Sequence, residues 1–336
     1  MKQLLYVIVL SLFFTACKKE KVDQLSENKT SANTPLTNEQ GKLQPVPPYE
    51  WTALTAPLNA PGEGNPSIVI PVNGTAFCVI GHPEHTTYKL NTSTKRWELF
   101  TSFEVFENYN HSLFSYQSKI YQGMSVATHQ TINNFFSIDV TTGVRTSLAA
   151  FPGTPCRGCV SFVIGDKGYL LGGITQDGTS INQAWEYNFT TNQWTNKNGS
   201  PLGARVSARA FVVDDKAYIG LGYDVITLNG QTIHRYKNDW IKYDPNSVYS
   251  GIMAPFPGTK RSADGFVINN NPYVGLGGDA DNTFTDFWKY NVSSNTWTQQ
   301  DSWPGEGGVS TFAIGNVGYL VKAPLQQFWK FSNSPF

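Results

Sequence analysis

Residues 288–297 read Trp-Lys-Tyr-Asn-Val-Ser-Ser-Asn-Thr-Trp, and residues 185–194 repeat the same spacing as Trp-Glu-Tyr-Asn-Phe-Thr-Thr-Asn-Gln-Trp. An earlier copy keeps the frame with Tyr88, Leu90, Asn91 and Trp97, and another keeps it in weaker form with Phe136, Ile138 and Asp139. The last copy begins with Trp329, Phe331 and Ser332 and runs out at Phe336 before a closing Trp. Trp51, near the other end, supplies the missing member. A period of about fifty residues indicates a solenoid, a propeller or an array. A unit divided between the two ends of the chain predicts a closed ring.

Composition agrees with many short strands joined by turns. Aromatic residues make up 14% of the 336 positions and charged residues only 15%, with abundant Gly, Asn, Ser and Thr. The formal net charge is zero, so no field draws the chain toward nucleic acid.

The unit resolves most clearly near the C-terminus. Gly265 to Asn269 reads as a short apolar strand, Asn270 and Asn271 as a turn, and Tyr273 to Gly278 as a second strand ending in a Gly pair. A polar loop, Asp279 to Thr285, leads to a third strand carrying Trp288 and Tyr290, and Trp297 opens a fourth after a turn over Asn291 to Asn295. An apolar run ending in Gly-Gly, then a Tyr, then a Trp, resembles the kelch repeat, in which a four-stranded antiparallel sheet forms one propeller blade. Gly172-Gly173 and Gly277-Gly278 keep the pair, Gly81-His82, Gly123-Met124 and Gly222-Tyr223 keep half, and Leu320-Val321-Lys322 has lost it. The resemblance implies an all-β, six-bladed kelch-type propeller over residues 49–336, its last blade closed by an N-terminal strand from Tyr49 to Thr55. The aromatic residues are expected to fill the wide spaces between blades.

Aligning the inner strands places Ile68, Leu113, Phe162, Phe211, Phe266 and Phe312 in equivalent positions, each after a small residue. Two residues earlier lie Pro66, His111, Val160, Arg209, Asp264 and Ser310, expected to face the channel because strand side chains alternate. Tyr109 lies one alternation further out, and Arg157, Arg205, Arg261, Glu107 and Glu306 are expected at the rim. Arg209, Asp264, His111 and Tyr109 would thus converge at one mouth, with Arg157, Arg205 and Arg261 around it. A cation, an anion, an imidazole and an aromatic ring suit a sugar or an acidic ligand. The competing expectation is an Arg209–Asp264 link that only ties neighbouring blades.

The N-terminus carries a separate signal. Lys2 precedes an apolar run from Leu4 to Phe14, too short for a membrane span and suited to a signal-peptide core. Thr15-Ala16-Cys17 resembles the bacterial lipobox, which implies a signal peptide over 1–16 and lipidation of Cys17. Lys18 in the next position resembles lipoproteins of the Gram-negative outer membrane, periplasmic or surface-exposed. Residues 17–48, poor in large apolar side chains, read as a lipidated Cys and flexible tether. The expected membrane contact is a lipid anchor alone.

Cys156 and Cys159 stand at CxxC spacing, where an oxidising compartment predicts a local disulfide; redox CxxC pairs belong to a helix start in a βαβ unit, a pattern absent here. Cys78 reads as a small buried apolar side chain. His82, Glu84 and His85 offer too few ligands for zinc, so no metal or cofactor is expected. Nor does the resemblance to kelch propellers carry over the copper constellation of galactose oxidase, for which no residue-by-residue match exists. The expected function is a noncatalytic, outer-membrane-anchored recognition module for a glycan or protein ligand at the channel mouth or loops. The alternatives are a sugar mutarotase or epimerase like the bacterial sialic-acid kelch enzymes, with Arg209 and Asp264 or His111 as its groups, and a scaffold subunit of a surface complex.

Overall fold

The computed structural model describes residues 49–54, 68–80, 85–103, 112–126, 131–247, 251–305, 308–322 and 327–333. The expected signal peptide (1–16), Cys17 and the expected tether lie outside them. Six four-stranded antiparallel sheets follow one another along the chain. Their inner strands are Ile68–Val72, Ser112–Tyr116, Val160–Ile164, Arg209–Val213, Ser262–Ile268 and Val309–Ile314. In blades one to five the chain then runs outward through the remaining three strands. Among the described residues blade six contributes three strands of its own, ending with Gln327–Ser332, and its fourth is Glu50–Leu54. That strand pairs in register from Glu50 opposite Ser332 to Leu54 opposite Phe328. The protein is therefore an all-β, six-bladed propeller closed by its N-terminal strand.

The Trp-Tyr-Asn-Trp frame has a physical cause. Asn192 and Asn295 adopt left-handed conformations (φ 55° and 53°) in the turn before the outer strand. There each carboxamide oxygen accepts the hydroxyl of the Tyr five residues earlier, Tyr187 or Tyr290, at 2.8 Å. The same oxygens accept Ala149 N–H and Ala254 N–H, which belong to the preceding blade. Trp194 and Trp297 finish the join by donating their indole N–H to the Ala149 and Ala254 carbonyls. Trp51 donates likewise to the carbonyl of Asp301, just beyond the outer strand of blade five. It is thus the missing Trp in role as well as in register.

Each junction between blades holds its own apolar cluster. Phe114, Phe135 and Tyr187 join blades two and three, Phe211, Trp240 and Tyr290 join four and five, and Phe266, Phe287 and Phe331 join five and six. Cys78, a buried thiol outside the disulfide, lies in the cluster that joins blade six to blade one. Gly172 shows why the Gly pair is needed. Its φ is +68°, and a Cβ there would collide with the Arg205 carbonyl of the next blade; Gly173 N–H donates to that same carbonyl at 2.7 Å.

Three details differ from the sequence reading. The turn of blade five is Asn269-Asn270, both at positive φ, and Asn271 already begins the second strand. In blades one and two the residues equivalent to Phe162, Phe211, Phe266 and Phe312 are Ile70 and Phe114, not Ile68 and Leu113. The equivalent residue always pairs with an aromatic on the second strand: Phe162 with Tyr169, Phe211 with Tyr218, Phe114 with Tyr121 and Ile70 with Phe77. It also lies two residues before its strand ends. Blade four, finally, contains an unexpected hairpin, Tyr223–Leu228 paired with Gln231–Tyr236, inserted between its second and third strands.

Candidate functional site

The inner strands surround a cavity of about 650 Å³. Arg209 and Asp264, on adjacent blades, lie on its wall. Arg209 Nη2 sits 3.0 Å from Asp264 Oδ2 and its Nε donates to the Ala263 carbonyl at 2.7 Å. Asp264 Oδ1 accepts the Thr311 hydroxyl from blade six and the Gly265 backbone N–H, both at 2.8 Å. One carboxylate therefore ties blades four, five and six. The two partners differ in access: the Asp264 side chain is 9% exposed and that of Arg209 is 47% exposed. The pair is a strut, yet the guanidinium half of it opens on the cavity and keeps donors that no described residue accepts.

The other expected residues divide sharply. Arg205 and Arg261 are not rim cations. Arg205 forms a two-pronged pair with Asp239 at 2.8 Å and also donates to the Leu221 carbonyl. Arg261 repeats the arrangement one blade later with Asp286, at 2.6 and 2.9 Å, and with the Leu276 carbonyl. The Arg261 side chain is 1% exposed and its guanidinium stacks over Phe284 at 4.0 Å. Buried charges persist when paired and hydrogen-bonded, so both arginines serve the fold. His111 and Tyr109 lie outside the described residues. With Phe114 as the true equivalent of Phe211, the counterpart of Arg209 in blade two is Ser112, one residue beyond His111.

Blade three builds the same join differently. The position corresponding to Asp239 and Asp286, one residue before the third strand, is Gln183, and four residues before the inner strand stands Cys156 in place of Arg205. Cys156 and Cys159 form a disulfide. Gln183 Nε2 donates to the Thr154 carbonyl at 3.0 Å and lies 3.2 Å from Cys156 Sγ. Arg157, between the two cysteines, is exposed, and its backbone exchanges two hydrogen bonds with Ile174.

The inserted hairpin stands beside Arg157. Val206 exchanges two backbone hydrogen bonds with Tyr223, and its neighbour Ser207 donates to the Gly158 carbonyl at 2.7 Å. Gly158, Ser207 and Gly278 all line the cavity, so the root of the hairpin adjoins its mouth. Burial raises the Tyr223 hydroxyl above its ordinary value, and the charge of Arg157 pulls it partly back. No triad of His, Cys, Asp or Glu suited to a metal occurs among the described residues. His82 and Glu84 lie outside them.

Residues 155–198, which make up blade three, match the family model for the Kelch motif. The solved structure of YjhT aligns with a TM-score of 0.53 at 16% identity, covering 64% of this chain and 72% of that one. This likeness is one of fold alone. Among curated proteins none matches the chain at a significant level. The chain carries a kelch motif and folds as a kelch β-propeller.

Proposed function

We propose that the protein is a noncatalytic recognition module, held at the outer membrane through a lipidated Cys17, that binds a glycan or protein ligand at the mouth of its central cavity. The observation that carries this reading is Arg209: a half-exposed guanidinium on the wall of a cavity large enough for a sugar residue, pre-oriented by Asp264 and the Ala263 carbonyl. Fixing a cation before the ligand arrives lowers the ordering cost of binding. Both Asp264 oxygens are engaged within the fold, Oδ1 by the Gly265 N–H and the Thr311 hydroxyl and Oδ2 by the ion pair with Arg209, so neither is left to act on a substrate as an acid or base. This favours binding over sugar mutarotation or epimerisation.

A glycan array probed with the protein, run beside an NMR measurement of sugar anomer exchange, tests the reading. Binding without exchange, weakened about ten- to a hundredfold in Arg209→Ala as expected for a lost charge-assisted hydrogen bond, is the expected result. Anomer exchange that disappears in Arg209→Ala would replace the module with an enzyme, and silence in both assays would leave the scaffold role.

A further inference from the structure

The hairpin of blade four is an addition to the four-stranded plan, and it concentrates aromatic side chains on one face. Tyr223 pairs with Tyr236 and Val225 with His234 across its two strands, so these four side chains share a side. The His234 ring stacks on Tyr223 with centroids 4.9 Å apart, and Tyr236 meets Tyr223 at 5.2 Å. His234 is exposed, and both tyrosines are half-buried. The hairpin is held in place from several directions. The Ser180 hydroxyl of blade three donates to the Val225 carbonyl and accepts the Val225 N–H, while Asp224, on the opposite face, pairs with Arg235 and Lys237.

Arg157 is held just as firmly. It lies inside the four-residue disulfide ring, its backbone paired with Ile174, and the Gly158 carbonyl next to it is bonded to Ser207 N. Gly158, next to Arg157, and Tyr223 therefore bond to adjacent residues, Ser207 and Val206. Among the described residues Arg157 takes part in no ion pair. Burial, Tyr223 and then the charges of Asp279 and Asp281 raise the Tyr236 hydroxyl above its ordinary value.

We propose that Tyr223, His234, Tyr236 and Arg157 form a binding surface beside the cavity mouth that takes a carboxylate-bearing sugar of an acidic glycan. This rests on the recognition reading above and gives it a ligand class and a second site. An aromatic face covers the C–H face of a pyranose ring, while Tyr hydroxyls serve its rim. A guanidinium with its fork free takes a carboxylate through two parallel bonds. The charge of Arg157 acts on Tyr223, and it would attract the carboxylate of a sugar seated on the rings. The sugar would lie on the aromatic rings with its acid toward the disulfide, leaving the rest of the glycan free to enter the cavity.

The test uses a glucuronate tetrasaccharide and its carboxyl-reduced, neutral counterpart, titrated calorimetrically into the full chain. The acidic form should bind more tightly. Arg157→Ala should weaken it about ten- to a hundredfold and leave the neutral form unchanged, with Arg157→Lys recovering part of the loss. His234→Ala should weaken both forms several-fold. Arg157 and His234 are both exposed, and unchanged melting temperatures would show that the variants remain folded. Equal binding of the two sugars, no binding of either, or affinities unaffected by both alanine variants would overturn the proposal. If affinity then falls only in Arg209→Ala, the recognition reading survives with its ligand confined to the cavity. Oligoglutamate bound with the same Arg157 dependence but indifferent to His234→Ala would identify an acidic peptide and refute the sugar assignment.

Discussion

Replacing Trp51 with Ala removes the side chain that closes the ring. The indole is half-buried, with ring centroids 4.9 Å from Phe331, 5.2 Å from Phe287 and 6.3 Å from Phe266. Its N–H bonds to the Asp301 carbonyl at 3.2 Å. A fully buried Trp lost to Ala costs about 3–5 kcal/mol. Partial exposure reduces that, and the freed Asp301 carbonyl lies where water reaches it, so about 2–3 kcal/mol is expected. In a domain of this size 1 kcal/mol moves the melting temperature by about 2–4 °C, which gives a fall of roughly 4–12 °C. Differential scanning calorimetry on the wild type, Trp51→Ala and Trp51→Phe reads the effect, and the Phe variant should recover the packing but not the hydrogen bond. Trp297→Ala, which breaks the same join inside the chain, should cost a similar amount. A Trp51→Ala protein that melts within about 1 °C of wild type would refute closure by this strand as a source of stability.

Arg261→Ala should strand Asp286 without its buried partner and cost about 3–5 kcal/mol, measured by urea unfolding; a loss below about 1 kcal/mol would mean that the pair behaves as a surface bridge. Removing the disulfide as Cys156→Ser with Cys159→Ser should cost about 2 kcal/mol, the chain-entropy value for so short a loop, with unfolding in the presence and absence of reductant as the check. Burial pushes the Tyr187 and Tyr290 hydroxyls up to about 12. The folded state thus holds these protons more tightly than the unfolded one, and the stability they contribute is complete below the ordinary value of 10.0 and lost as pH rises toward 12. Urea midpoints should therefore fall across that window, and tyrosinate absorbance in native protein that titrates fully near 10.0 would contradict the assignment. Cys17→Ser should release the protein from membrane fractions; retention with no lipid adduct by mass spectrometry would rule out the anchor.

The parts of the fold legible in the sequence are those written in local spacing. Tyr290 bonds to Asn295 within one turn and stands opposite Trp297 across its flanking strands, so their frame repeats wherever the turn does. The displaced Trp51 could be read because ring closure demands one such unit split in two. The inner-strand register of blades one and two was harder, since Ile68 and Ile70, or Leu113 and Phe114, are equally apolar. Counting back from the two-residue turns, such as Asn73-Gly74 with φ of 49° and 73°, decides it. The same signal, Asn229-Gly230 between alternating residues, marks the inserted hairpin. Arg205 and Arg261 misled for a different reason. Their partners Asp239 and Asp286 lie 34 and 25 positions away, and no local pattern distinguishes a buried, paired guanidinium from one at a rim. Arg209 and Asp264 were brought together by register alone, because both sit on inner strands where neighbouring blades approach most closely.

Closure through Trp51 also sets an order of events. Trp51 and Asp301 are 250 positions apart, and a chain synthesised or translocated from its N-terminus presents Glu50–Leu54 long before Gln327–Ser332 exists. Through all the intervening time the first strand has an unsatisfied edge, and the growing ring is an open arc with a ragged end. Contacts of such separation are slow to form, so the arc shuts in one late step. Blades one to five are already sealed by their own outer strands, leaving blade six as the berth within this chain for the waiting strand. Where copies are crowded the competing berth is blade six of another molecule, and an arc left open too long would join its neighbour in a chain of propellers.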